Sequence, residues 1–264
     1  MDNTAMAAEN VIEVRDLCKT YITNKRQLNV LRNVSFTITS GEMVAVMGPS
    51  GSGKSTLLYS VSGMDKATAG EVFFCGQDIT KLPDNKMAEI RLDEMGFIFQ
   101  QMYMMKNLTV FDNVILPAMQ SKKLHESRKE TKARGEELMR KFGIIDTADN
   151  DINEVSGGQL QRACIARSMI NKPRIIFADE PTGALNRSSS DEVMKEMVRI
   201  NNEGATIMLV THDAKVAAKC TRVLFIVDGN IKGEYELGKF DDTDEAVIKS
   251  RERHLNEWLM EMGW

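Results

Sequence analysis

Val11 to Leu17 (VIEVRDL) and Val34 to Thr39 (VSFTIT) alternate apolar and polar residues. That period of two is expected of half-buried strands at a sheet edge. Met43 to Met47 (MVAVM) is apolar without interruption, as in a strand covered on both faces. Arg174 to Asp179 (RIIFAD) and Thr206 to Thr211 (TIMLVT) repeat that signature. Ser55 to Gly63 reads as a helix after a glycine-rich loop. Ser121 to Lys141 carries dense charge of both signs, and its sparse apolar neighbours, such as Leu138 and Phe142, predict one side of a solvated helix. In the tail, Ile248, Leu255, Trp258, Leu259 and Met262 recur at helical spacing and predict a short amphipathic helix packed on the chain's own core. Its polar face is mixed in charge, which argues against a membrane-surface helix. Buried strands among helices give an α/β fold.

At 264 residues there is room for one large α/β domain, or a core with a small subdomain. Lysine and arginine total 34 against 38 acidic residues, so no global basic field points to nucleic acid as a partner. Cys18, Cys75, Cys164 and Cys220 form no C-x-x-C pair, which argues against zinc and disulfides and fits a reducing cytosol. No apolar run nears the roughly 20 residues that span a bilayer. The start MDNTAMAAEN has no signal-peptide pattern, so the chain is expected to be neither inserted nor exported by itself.

Residues 48–56 read GPSGSGKST and fit G-x-x-x-x-G-K-[ST] through Gly48, Gly53, Lys54 and Ser55, between the strand and helix that a phosphate loop requires. Gly48, Gly51 and Gly53 allow backbone angles that turn successive N–H groups inward around a phosphate. Lys54 adds positive charge, and Ser55 offers a hydroxyl to Mg²⁺. Asp179 and Glu180 close a buried strand, and alternation is expected to point them in different directions. One would hold Mg²⁺ through water, and the other would orient the attacking water as a base. His212 follows another buried strand, at the sheet end where α/β proteins bind ligands, and is placed to hold Glu180 or meet the γ-phosphate. A second anion-seeking sequence appears in NEVSGGQLQR (Asn153 to Arg162), where a Ser-Gly-Gly turn enters a helix. Read alone, it is equally a helix start capped by Ser156.

GPSGSGKST, the glutamine of GFIFQ (Gln100), VSGGQLQR, RIIFADEPTGAL and the histidine of VTHD resemble, in order, the motifs of ABC-transporter ATP-binding subunits. The likeness runs from about Val11 to Gly238. It implies a P-loop NTPase (RecA-like) core with an antiparallel β subdomain and an inserted α-helical subdomain. Residues 11–240 would form one ATPase domain, with core and β subdomain from 11–100 and 164–240, a helical subdomain of about 101–163, and a C-terminal amphipathic helix in 241–264. The implied ligands are ATP and Mg²⁺. ATP contacts would come from Tyr21, stacking on adenine, and from Gly48, Ser50, Gly51, Ser52, Gly53, Lys54, Ser55 and Thr56. Ser55, Gln100 and Asp179 would serve the metal, and Lys54, Gln100, Glu180 and His212 the chemistry.

The resemblance also resolves the double grip. In that family two subunits face head to tail, and Ser156, Gly157, Gly158 and Gln159 would touch the ATP held by the other copy. A membrane permease would dock near Gln100, at Met102, Tyr103, Met104 and Met105, although core packing of those methionines stays open. The expected place is the cytoplasmic face of the bacterial inner membrane. GPSGSGKSTLL, GFIFQ and FADEPTGAL are most similar to ATPases paired with permeases for lipoproteins, macrolides or antimicrobial peptides, including resistance systems. An importer subunit, or a soluble ABC protein outside transport, is the alternative. Asn186 departs from the family's usual aspartate, which puts coupling between the two sites in doubt.

Overall fold

The computed structural model describes residues 9–23, 26–123, 125–241 and 243–264. Strands β1 (Asn10–Thr23) and β2 (Arg26–Thr39) form a long antiparallel pair. Strand β3 (Met43–Met47) leads through the glycine loop to helix α1 (Lys54–Val61). Next come β4 (Ala69–Phe74), β5 (Gln77–Asp78), α2 (Asp84–Glu94) and β6 (Met95–Phe99). Three helices follow: α3 (Val110–Gln120), α4 (Arg128–Lys141) and α5 (Gly157–Met169). Strand β7 (Ile175–Asp179), α6 (Arg187–Asn202), β8 (Ile207–Val210), α7 (Ala214–Ala217), β9 (Arg222–Val227), β10 (Asn230–Glu236) and α8 (Glu245–Glu261) complete the chain.

The first sheet is antiparallel, in the order β2-β1-β4-β5. The alternating segment at the start of the chain is therefore an inner strand, because β4 gives β1 a second partner. The second sheet runs β10-β9-β3-β8-β7-β6, parallel from β9 to β6, with β10 antiparallel at one edge.

Period two divides each central strand between two cores. Val44, Val46, Phe177 and Val210 face α1 and the antiparallel sheet, where they meet Leu57, Leu58, Phe36 and Val72. Met43, Ala45, Met47, Ala178 and Leu209 face α5 and α6, packing with Cys164, Ile165, Val193 and Met197. Both faces are covered, so the strands show no polar alternation. Each fully buried side chain of this size contributes about 1.5–3 kcal/mol.

The charged stretch becomes helical only at Arg128. Ser127 and Glu130 form a reciprocal capping box that sets this start. On α4 the buried positions are Thr131, Gly135 and Met139, one turn apart. A Cβ at Gly135 would lie 2.4 Å from Ile115, so this glycine is what lets α4 approach α3. Helix α5 continues unbroken past residue 163 and carries the helical insert into the core. Helix α8 buries Leu255 and Leu259 and sets Trp258 against Tyr235 (5.1 Å) and Phe225 (6.1 Å). Among the described residues, no helix is long and apolar enough to cross a membrane.

Candidate functional site

The loop between β3 and α1 fits only one residue type at its first glycine. Gly48 has φ 152°, and a Cβ there would lie 2.0 Å from the Ile226 carbonyl oxygen and 2.8 Å from Ser52 Oγ. Gly53, at φ 103°, precedes α1 without a side-chain cap, and no acidic residue sits in the first turn. The first N–H groups of α1 are thus left for an anion. Lys54 Nζ donates to the carbonyls of Gly48 and Pro49, each at 2.8 Å, and folds over the loop. Burial pulls its ammonium below the usual lysine range, while the charges of Glu180 and Asp179 act the other way. Ser52 is buried and its hydroxyl has no partner among the described residues, whereas Ser50 and Gly51 face solvent.

In the parallel sheet, Phe99 is paired with Asp179 and Asp179 with Val210, so the residues after β6, β7 and β8 emerge side by side. Those residues include Gln100, Glu180 and His212. Ser55 Oγ donates to Asp179 Oδ1 at 2.9 Å. Tyr59, one turn further along α1, donates its hydroxyl to Asp179 Oδ2 at 2.6 Å. Burial and the Asp179 carboxylate push this phenol well above its ordinary range.

Glu180 lies beyond the strand in a left-handed conformation (φ 45°). That turn, rather than alternation along a strand, separates it from Asp179. Its Oε1 lies 3.1 Å from His212 Nδ1. A Cβ on Gly183 would lie 2.9 Å from Gln100 Nε2 and 3.0 Å from Glu180 Oε2, so these two groups flank the space a side chain would take.

This donor set fits Mg²⁺. A hydroxyl and a carboxylate oxygen 2.9 Å apart are hard ligands, and the described residues hold no cluster of three or more His, Cys, Asp or Glu able to form an all-protein cage. Mg²⁺ completes its shell from phosphate and water.

Tyr21 lies beside Thr56 at the start of α1; it is 36% exposed, and Lys19 Nζ sits 4.8 Å from its ring centre. Its hydroxyl donates to Asp65, which also accepts from Lys19. Burial disfavours the charged form of Asp65, but these hydrogen bonds and the lysine charge outweigh it and hold the carboxyl below its usual range. Sequence reading missed Asp65 and Tyr59. The spacing of Ser55 and Tyr59, four residues apart on one helix face, was the available signal for Tyr59.

Ser156 does not join this group. Its hydroxyl accepts from Gln159 N at 3.3 Å, and Gln159 Oε1 accepts from Ser156 N at 2.8 Å, so both serve the start of α5 as a capping box. A Cβ on Gly157 would touch Leu185 (3.3 Å), and one on Gly158 would touch Ser189 (3.0 Å). Asn186 caps α6 by accepting from Ser189 N at 3.0 Å, work that an amide does as well as a carboxylate.

After Gln100, Met102 and Tyr103 both take left-handed backbone (φ 59° and 45°), conformations that cost of order 1–3 kcal/mol each. Arg167 holds them by donating to the Met102 carbonyl (2.5 Å) and the Tyr103 carbonyl (3.0 Å). This twist separates the four residues. Met102 and Met104 turn toward the core, while Tyr103 (63% exposed) and Met105 (48%) face out. Tyr103, Phe97, Phe99 and Met64 line an apolar groove of ≈ 400 Å³, with Arg91 and Arg167 among its walls.

Residues 31–183 match the family model described as ABC transporter. The chain is 39% identical over 221 residues to the ABC transporter ATP-binding protein YvrO of Bacillus subtilis, covering 84% of this chain and 95% of that one. It is 38% identical over 254 residues to a macrolide export ATP-binding/permease protein of Mannheimia succiniciproducens, covering 96% of this chain and 39% of that relative. The chain thus spans well under half the length of the macrolide export relatives it matches. Among solved structures it superposes, with TM-score 0.80 and 36% identity, on a dimeric ATP-binding cassette, MJ0796, in a post-hydrolysis state bound to ADP and Pi. That match covers 87% of this chain and all of the other. With the phosphate loop, the strand-end carboxylates and this architecture in agreement, the chain belongs to the ABC transporter family as an ATP-binding, ATP-hydrolysing subunit with the P-loop NTPase fold.

Proposed function

We propose that two copies of this chain close head to tail around two Mg-ATP and drive a separate membrane permease from the cytoplasmic face of the bacterial inner membrane. The permease would be of the lipoprotein, macrolide or antimicrobial-peptide type. One observation carries the dimer: the hydrolytic residues converge at the strand ends, while Ser156 and Gly157 are exposed and Ser156 bonds only within its own capping box among the described residues. A second copy would bring its own exposed Ser156–Gly157 turn to each ATP. Two relatives' names support the wider reading, since one solved neighbour is a dimeric cassette and the macrolide export relatives are ATP-binding/permease proteins.

Within each site, backbone N–H groups of the glycine loop and the start of α1 grip the β-phosphate, and Lys54 reaches the γ-phosphate. Tyr21 stacks on the base. Ser55 and Asp179 would hold Mg²⁺, with Gln100 beside them; the metal, when bound, neutralises charge developing on phosphate oxygens. With its proton on Nδ1, His212 donates to Glu180 Oε1 and orients the carboxylate. Oε2 then accepts a proton from the attacking water. Gln100 leads straight into the twisted segment at Met102 and Tyr103. Its movement on ATP binding would therefore reach the apolar groove, where a short permease helix would dock against Phe97, Phe99 and Tyr103.

Glu180→Gln tests the sandwich. It removes the base while keeping every phosphate contact, so the ATP-loaded variant is expected to elute as a stable dimer with turnover reduced by roughly a hundredfold or more. An ATP-saturated variant that stays monomeric at high protein concentration would count against it.

A further inference from the structure

Among the described residues His212 has one side-chain tether, the 3.1 Å contact with Glu180, and its side chain is 64% exposed. Beside it lies a cavity of ≈ 730 Å³, lined by Glu180, Thr182, His212, Lys215, Ile248 and Glu252 among others. Packing on that side therefore does not fix the His212 loop. Its position depends on its two ends, β8 before it and α7 after it. Strand β8 is wholly buried inside the sheet. Helix α7 is a single turn of four residues, far below the roughly 12 at which an isolated helix becomes even marginally stable. Asp213 caps its start by accepting from Lys215 N at 2.8 Å. Buried Val216 and Ala217 hold it to the core, but apolar contacts are non-directional.

Directional bonds come from two sides: Thr221 donates its N–H to the Met43 carbonyl (2.7 Å) and accepts from Met43 N (2.9 Å), and α8 holds the residues between α7 and Thr221. Arg251 Nε donates to the Ala218 carbonyl (2.5 Å) and Nη2 to the Cys220 carbonyl (2.5 Å), both in the segment that leaves α7. The remaining N–H groups go to the carbonyls of Leu237 (2.6 Å), Gly238 (2.7 Å) and Lys239 (3.5 Å), where the chain leaves β10. All five donors of the guanidinium fork are thus spent on main-chain carbonyls. Among the described residues no carboxylate pairs with Arg251; its charge faces the carbonyl end of α7, the favourable end for a cation.

We infer that Arg251 is a positioning residue for ATP hydrolysis, through which the C-terminal helix sets α7 and hence where His212 meets Glu180. The inference rests on the roles proposed above for His212 and Glu180.

The test compares full-length Arg251→Met and Arg251→Lys, with Arg253→Ala on the exposed face of α8 as control. It reads kcat, KM, ATP affinity, melting temperature and the imidazole NMR resonances. The chain has three histidines, His125, His212 and His254, so His212→Ala identifies the relevant signal. Arg251→Met is expected to lower kcat by about fivefold through misplacement of the histidine, with ATP affinity within about twofold. Arg251→Lys should fall between it and the parent, because an ammonium donates from a single point and cannot span the five carbonyls. The His212 resonance should move in both variants, and adding Arg251→Met to His212→Ala should cost nothing further, since the two act on one step.

Parental kcat in a folded Arg251→Met, or a double variant slower than His212→Ala alone, overturns the inference. If Arg251→Met does not fold, Arg251→Lys decides by the same readings. Parental turnover in His212→Ala would instead remove the histidine's proposed role and this inference with it. A slow His212→Ala beside a fast Arg251→Met removes the inference alone.

Discussion

Tyr59→Phe isolates one hydrogen bond at the metal position. The phenol donates to Asp179 Oδ2 at 2.6 Å, while Ser55, itself a proposed metal ligand, occupies Oδ1 at 2.9 Å. Tyr59 therefore fixes the carboxylate's orientation from the side away from the metal. A hydrogen bond to a charged group contributes about 1.5–3 kcal/mol. Asp179 is only half-buried and water can replace part of the loss, so about 1–1.5 kcal/mol is the expected cost. At about 1.4 kcal/mol per tenfold, the Mg²⁺ concentration that half-saturates ATPase activity should rise roughly five- to tenfold. Outer-shell substitutions at metal sites commonly cost 10–100-fold, so this estimate lies at the mild end. The melting temperature should fall by about 2–6 °C, given about 2–4 °C per kcal/mol in a chain of this size. ATP affinity measured in EDTA should not change. A half-saturating Mg²⁺ concentration within twofold of the parent, alongside a lowered melt, would show that Tyr59 only stabilises the fold.

Two other perturbations probe the surrounding structure. Gly183→Ala places a methyl 2.9 Å from Gln100 Nε2 and 3.0 Å from Glu180 Oε2, both at ends of flexible side chains; the protein should fold and bind ATP, with kcat reduced about tenfold, and an unchanged kcat would show that neither group needs its present place. Asp65 has a pKa below its ordinary 3.8 in the folded chain, so its stabilisation is whole above that value and is lost as pH falls through the lower folded one. The melting difference between the parent and Asp65→Asn should accordingly be constant near neutrality and shrink below about pH 4; a difference that persists unchanged to pH 3 contradicts the Lys19–Asp65 linkage.

The phosphate loop, Asp179, Glu180 and His212 were legible in the sequence because each ends or follows a buried strand, and strand ends in a parallel sheet converge by topology. The apolar runs showed burial on both faces for the same reason. The edge position assigned to β1 was not legible, because alternation reports one buried face and says nothing of a second hydrogen-bonded neighbour. The four residues after Gln100 could not be sorted from sequence either. Composition marked them all as apolar, and the left-handed turn at Met102 and Tyr103, which sends alternate side chains to opposite sides, depends on Arg167 arriving from α5.

By itself the sequence determined the chemistry: glycine at Gly48 where no Cβ fits, a lysine and hydroxyl at the start of a helix, and two carboxylates after a buried strand. These are local requirements, met within a few residues. Only the tertiary structure decided which distant groups lie against them and against the elements that carry them. Tyr59 against Asp179, Asp65 between Lys19 and Tyr21, and Arg251 against the carbonyls beyond α7 each join residues dozens of positions apart or separate elements of the fold. Such contacts leave no period or motif in the chain, because their geometry exists only once the sheets and helices have packed.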